Sequence, residues 1–176
     1  MLNHLKKQNV KVKYKLSNLI INNCSVGWIT PFVVSKLERH QNIFRRVGNN
    51  IEIITDSRHF SDISKKINDC LYNLYLDDDT GFGTWCNEKA CVRDKISGRQ
   101  YFYLERAATG FLGILTNGVH LNGYTVKKDF IELRIAKRSS LIKSYPNLLD
   151  TMVAGFLPMN SNPDEKITEE AYEEAG

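Results

Sequence analysis

Glu169, Glu170, Glu173 and Glu174, near the C-terminal end of this 176-residue sequence, are the residues whose types and spacing best suit chemistry. On a helix, Glu169/Glu173 and Glu170/Glu174 are like-charged pairs at i,i+4, each unfavourable by about 0.2–0.5 kcal/mol. A surface helix gains nothing from that arrangement unless a cation is present. Several carboxylate oxygens are what a hard divalent cation such as Mg²⁺ takes, usually with substrate phosphates completing its shell. The plain alternative is a solvated acidic helix.

The same segment supplies its own helix signals. Asn162 is a good N-cap, Pro163 suits the first helical position, and Glu165 falls where a capping box places its acid. Asp164 adds favourable charge to the first turn, and Gly176 fits a C-terminal stop. At 100° per residue, Ile167, Ala171 and Ala175 lie within about 80° of one another, and the four glutamates occupy an adjacent arc of about 140°. The spacing therefore predicts one apolar wall beside one carboxylate wall.

The rest of the chain must position that helix. Its length is enough to bury a core without disulfide or metal staples, and 42% hydrophobic with 25% charged residues argues against disorder. The net charge of +4 hides an asymmetry: Asp164–Gly176 holds six acids and one base, so the first 163 residues carry 23 bases against 14 acids. The uncharged stretch Ser17 to Ser35 contains Asn22, Asn23, Ser25, Gly27 and Pro31, too polar for a membrane span. No signal-peptide pattern is present. Cys24, Cys70, Cys86 and Cys91 form no CxxC pair and read as reduced thiols of a cytoplasmic protein.

Residues 1–15 carry five lysines and no acid, which reads as a basic, solvated terminus. No nucleic-acid reader motif follows it. Two apolar runs around Asn22-Asn23 predict a hairpin, and Thr30-Pro31 predicts the start of a short helix. Phe44 to Val47 and Ile51 to Ile54, separated by Gly48-Asn49-Asn50, predict a second hairpin. Ile63, Ile67, Leu71 and Leu74 recur at helical spacing over 58–75, with Asp77-Asp78-Asp79 as a solvated exit. Strands are expected at Lys89–Arg93, Tyr101–Leu104, Gly118–Val126, Phe130–Ala136 and Met152–Ala154, with a short helix at Glu105–Phe111. The mixture is α+β. His120 reads as a structural histidine and Glu105–Arg106 as a structural ion pair. Trp28, Trp85, Tyr101 and Phe111 read as core packing.

The segment GFLPMNSNPDEKITEEAYEEAG, Gly155 to Gly176, resembles the Nudix box, G-x5-E-x7-R-E-U-x-E-E-x-G-U. Gly155, Glu170, Ala171, Glu173, Glu174 and Gly176 fall on its positions, whereas Ser161 stands in place of Glu and Glu169 in place of Arg. Upstream, LERAATGFLGILTNGVHLNGY, RIAKRS and YPNLLDTMVAG resemble the Nudix branch named as thiamine pyrophosphokinase-related, whose extra N-terminal domain VGWITPFVVSKLERH also resembles.

The resemblance implies an N-terminal α+β domain over 16–110 and a Nudix domain, an α/β/α sandwich, over 111–176 that stops at the box helix. It implies a Mg²⁺-dependent hydrolase, with Mn²⁺ as a substitute, that cuts a small-molecule diphosphate. Thiamine diphosphate or its damaged analogues would be cut to the monophosphate. Glu170, Glu173 and Glu174 match the metal-binding positions, with Gly155 bringing backbone oxygen near, and no residue is assigned as general base. Arg134, Lys137 and Arg138, with Lys143 close by, lie where cations can meet substrate phosphates, although solvated charge is their plainer reading. Glu169 replaces a supporting i,i+4 contact to Glu173 with repulsion.

The second reading is therefore a non-catalytic remnant of such an enzyme, altered at Ser161 and Glu169 and lacking part of the domain. A half-domain exposes apolar surface, for which a homodimer is one remedy. A basic nucleic-acid-binding protein is the weakest reading, and a membrane protein is excluded.

Overall fold

The computed structural model describes residues 15–55, 59–77, 81–94, 97–142 and 145–175. Among them are three α-helices and twelve strands, the mixed α+β composition expected. The chain divides into two compact units, Met1–Leu115 and Thr116–Gly176. The lysines of residues 1–14, Asp78, Asp79, Lys143 and Gly176 lie outside the described residues.

In the first unit, β1 (Ser17–Ile21) and β2 (Cys24–Ile29) form an antiparallel hairpin. Asn22 and Asn23 take φ of 50° and 63°, the paired left-handed conformation that a tight two-residue hairpin turn requires and asparagine tolerates. Helix α1 (Pro31–Leu37) follows, with Thr30 Oγ1 accepting the Val33 N–H at 3.4 Å. Strands β3 (Phe44–Val47) and β4 (Asn50–Ile53) form the second hairpin, and β4 runs parallel to β1, giving the order β2-β1-β4-β3. Burial alternates along β1 and β4, so Leu19, Ile21, Ile51 and Ile53 all enter one core.

Helix α2 (Phe60–Leu76) contributes Ile67, Cys70, Leu71 and Leu74 to that core, on the helical period read from the sequence. Beside it lie β5 (Lys89–Arg93) and β6 (Gln100–Glu105), an antiparallel pair. The outer edge of β6 is satisfied by side chains of α2. Ser64 Oγ accepts the Tyr103 N–H at 3.0 Å, Asn68 Nδ2 donates to the Tyr103 carbonyl at 3.0 Å, and Asn68 Oδ1 accepts the Glu105 N–H at 2.8 Å. Ser64 is fully buried for this reason, since an edge strand packed inside needs partners for its backbone.

Only Arg106–Ala108 of the expected short helix forms, as a 3₁₀ turn. Arg106 pairs with Glu88 at 2.6 Å, while the adjacent Glu105 turns inward, 5% exposed, to accept the Cys86 N–H. The chain then returns to β2, where the Trp28 N–H donates to Gly113 O at 3.2 Å. Gly113, at φ 58°, has no room for a side chain against the Trp28 backbone. Trp28 itself is half exposed rather than packed in the core, because its position on β2 points outward.

In the second unit, the single strand expected over Gly118–Val126 is two strands: β7 (Gly118–Leu121) and β8 (Tyr124–Val126). The break falls at Gly123, where a Cβ would come 2.6 Å from the Met152 sulfur. β8 pairs with β9 (Ile131–Leu133) across Lys127–Asp129, as the turn residues indicate. β10 (Ala136–Lys137) leaves that hairpin to pair with β11 (Leu149–Asp150), a contact of distant segments without a local signal. β12 (Val153–Phe156) pairs antiparallel with β7, setting Gly155 opposite Val119, and helix α3 (Pro163–Ala175) packs on β12 and β7.

Candidate functional site

The carboxylates sit where α3 meets β12. The helix begins as its sequence dictates: Asn162 Oδ1 accepts the Asp164 N–H at 2.9 Å, and the Asn162 carbonyl accepts the Lys166 N–H at 3.0 Å. The expected reciprocal partner, Glu165, is exposed. Ile167 and Ala171 are half buried, as an apolar wall should be.

The four glutamates do not form one wall. Glu170 turns toward β12 and lies directly over Gly155, where a Cβ would come 2.6 Å from Glu170 Oε1 and closer still to its Cγ and Cδ. Glu174 Oε2 accepts the Ala154 N–H of the same strand at 3.3 Å. Glu169, Glu173 and Glu174 are all exposed, so Glu170 alone is turned inward. Residues four apart lie only about 40° from each other, so Glu170 and Glu174 share the edge of the face that docks on the strand.

Sequence reasoning missed Lys166. Its Nζ lies 2.9 Å from Glu170 Oε1 and 3.4 Å from Glu169 Oε2. The side chains of Lys166 and Glu170 are each 15% exposed. The hydrogen bond to Glu170, with a smaller contribution from Glu169, holds the ammonium above the ordinary lysine pKa against a partial loss of hydration. The signal was the i,i+3 and i,i+4 spacing from Lys166 to two acids; what made it matter is that the pair is turned inward. Lys166 thus supplies the positive charge that Glu169 fails to bring. Among the described residues, no three His, Cys, Asp or Glu side chains converge in a metal-holding cluster.

The three expected phosphate-binding cations differ in availability. Arg138 forms an ion pair with Asp150 at 2.5 Å. That hydrogen bond, followed by the one from the Thr151 N–H, holds the Asp150 carboxyl below the ordinary carboxylate pKa. Arg134 Nη2 donates to Thr125 Oγ1 at 3.3 Å across the β8–β9 hairpin. Lys137 lies on β10 with an exposed side chain. Ser161 closes a turn through its N–H to the Pro158 carbonyl at 3.3 Å. His120 Nδ1 lies 3.2 Å from Thr151 Oγ1, a structural contact beside β12.

Comparison with known proteins bears on both units. Residues 1–116 match the family model described as a domain of unknown function, DUF4743. The chain belongs to the DUF4743 family. This DUF4743 chain is 28% identical to the uncharacterized protein YJR142W of Saccharomyces cerevisiae over 158 residues, 85% of the chain and 46% of the yeast protein. Over 90 residues, half of the chain, it is 40% identical to Nudix hydrolase 20, chloroplastic, of Arabidopsis thaliana and 37% identical to Nudix hydrolase 24, chloroplastic, of the same plant. These matches cover 24% and 25% of the two plant proteins, so the chain spans less than half the length of each curated relative. They support a Nudix-related relationship and a resemblance to hydrolases. No helix among the described residues is long and apolar enough to cross a membrane.

Proposed function

We propose that the chain takes part in hydrolysis of a diphosphate linkage in a small molecule, with the α3–β12 junction holding Mg²⁺ or Mn²⁺. The observation that carries this reading is the Glu170 carboxylate seated on Gly155, in space that any side chain at 155 would fill. Glu174, held on the Ala154 N–H, is the second proposed ligand, and Glu173 and the Gly155 carbonyl are proposed from the resemblance to the Nudix box alone. One or two carboxylates with substrate phosphates are a normal environment for Mg²⁺, so these residues fit the ion. Bound there, the ion would offset charge on the phosphates and make water a better nucleophile.

Lys137 and Arg134, with Arg138 behind its ion pair, are the proposed phosphate-facing cations. The proposed substrate is thiamine diphosphate or a damaged analogue, cut to the monophosphate, on the strength of the GVHLNGY and LDTMVAG segments. A cytoplasmic location is proposed from four free cysteines.

Phosphorus NMR of the purified chain with thiamine diphosphate tests this directly. Monophosphate should appear with Mg²⁺, disappear with chelator, and be lost in Glu170→Gln. Its absence with Mg²⁺ present sinks the proposal for this chain.

One observation favours the second reading, a non-catalytic relative: Lys166 already neutralises Glu170. On that reading Mg²⁺ binds poorly to the natural chain, and Lys166→Met should tighten it by roughly tenfold, as removal of one close charge pair allows. Titration calorimetry with MgCl₂ distinguishes the two readings. Tight binding to the unaltered protein removes the second.

A further inference from the structure

Helix α2 keeps one exposed face that the core of the first unit leaves open. By helical period Asp69, Tyr72, Asn73 and Leu76 lie within about 100° of one another, and all four are exposed. Tyr72 is 44% exposed and Leu76 62%, so two large hydrophobic side chains stand on this stripe one turn apart. Beside it opens a cavity of about 520 Å³, lined by Asn68, Asp69, Tyr72, Tyr75, Trp85 and Asn87. The Trp85 ring centroid lies 5.0 Å from that of Tyr72 and 5.4 Å from that of Tyr75, so the rings brace one another along its wall.

The charge along this face is one-sided. Between Lys66 and Lys89 the sequence holds five acids and no base, in a chain whose net charge is +4. Of those acids, Glu88 is paired with Arg106. Asp69 and Asp77 are exposed and take part in no ion pair among the described residues. The last turn of α2 carries no basic residue, so the negative end of its dipole and the C-cap Asp77 reinforce each other. Such a helix end is stabilised by cations, and its own turn brings none.

Spacing discriminates among cations. Asp69 and Asp77 stand about 12 Å apart along the helix axis, with Tyr72 and Leu76 between them. A small molecule with one charge meets one acid and leaves the other. A polyamine can meet both but has no side chain to cover Tyr72 and Leu76. An extended peptide turns alternate side chains to one side and advances about 3.3 Å per residue, so positions i, i+2 and i+4 span about 13 Å. A basic, an apolar and a second basic residue at those positions match the stripe in charge, length and order. Residues 1–15 contain no such triplet, so the lysines of that segment do not supply it.

We propose that the exposed face of α2 docks an extended basic peptide of a partner protein. Its central apolar side chain lies against Tyr72 and Leu76, and one of its cations sits at the mouth of the cavity beside Asp69. The site lies wholly in the first unit, which gives the DUF4743 domain a role separate from diphosphate hydrolysis.

The probe is the peptide acetyl-Gly-Arg-Ser-Leu-Ser-Arg-Gly-amide, titrated into the whole chain at low salt. No metal or phosphate is present, so the outcome is independent of diphosphate hydrolysis. Binding is followed by the NMR signal of the Trp85 indole N–H, assigned with Trp85→Phe. The peptide should shift that signal saturably, bind about tenfold more tightly than its form with Ser in place of Leu, and weaken as salt is raised. Asp69→Asn and Leu76→Ser, both at exposed positions, should each weaken binding by about fourfold. An unmoved Trp85 signal, equal binding of the two peptides, or full affinity in either variant overturns the proposal. So does spermidine binding as tightly as the peptide, which would make the face a polyamine site. Peptide binding that emerges only once residues 1–14 are removed would assign the face to the chain's own lysines and overturn it as well.

Discussion

The two units are built to different standards of burial. Met1–Leu115 encloses a continuous core in which Leu19, Ile21, Phe44, Ile51, Leu71, Phe102 and Leu104 are almost wholly hidden from water. In Thr116–Gly176, the buried hydrophobics among the described residues are Val119 and Val153. Around the β8–β9 hairpin, Tyr124, Val126, Phe130, Ile131 and Leu133 are each more than half exposed. Burial of apolar surface is the main source of stability, at about 25 cal/mol per Å². The first unit therefore owes its order to its core. The second is held by strand pairing, the ion pairs of Arg138 and Lys166, and the seat of Glu170 on Gly155. The hydrophobic amino acids are present in the second unit, but its short strands provide no opposing layer within the described residues to bury them.

The largest expected difference between the units comes from large-to-small substitution. Leu71→Ala, at a fully buried position, should cost about 2–5 kcal/mol in urea unfolding, whereas Leu133→Ala, 63% exposed, should cost less than about 0.5 kcal/mol. Similar losses at both sites would erase the distinction.

Next in size is Gly155→Ala. The added methyl must displace Glu170, at about 1–3 kcal/mol, and hydrogen exchange should accelerate in α3 while α2 stays protected. Uniform acceleration in both helices would mean that the units unfold together.

Smaller still is the effect on association. Exposed apolar patches of this kind promote self-contact, so size exclusion at two concentrations should reveal a dimer or larger species. The double change Phe130→Ser/Leu133→Ser should shift it toward monomer with little loss of stability.

The smallest effect is electrostatic. The Arg138 hydrogen bond lowers the folded-state pKa of Asp150. Its contribution is therefore fully present above the ordinary carboxylate pKa and is lost as pH falls through the depressed value. Carbon NMR of the Asp150 carboxyl should titrate below the ordinary range, and Arg138→Met should return it there.

Much of the first unit was legible because its signals are local. Asn22-Asn23 specify a turn through their tolerance of positive φ, Thr30-Pro31 start a helix through one capping bond, and Ile67, Leu71 and Leu74 keep the helical period. The second unit was legible at its helix and its β8–β9 turn. It was misread where pairing is distant. Nothing near Gly123 announces that β7 will leave β8 to join β12, and nothing near Lys137 announces β11. Those contacts are set by which segments can meet after the chain has folded back.

The candidate site divides along the same line. The sequence by itself determined that Glu169, Glu170, Glu173 and Glu174 share a capped helix, because caps and a period of 3.6 act over four residues. Tertiary structure decided which of them face the strand. Docking on β12 turned Glu170 inward over Gly155, left Glu174 exposed with one bond to the Ala154 N–H, and made Lys166 the cation beside Glu170. The same held for α2: its period put Tyr72 and Tyr75 on one side, but only the returning chain brought the Trp85 ring against both. Short-range rules place residues on a face, and packing decides what that face meets.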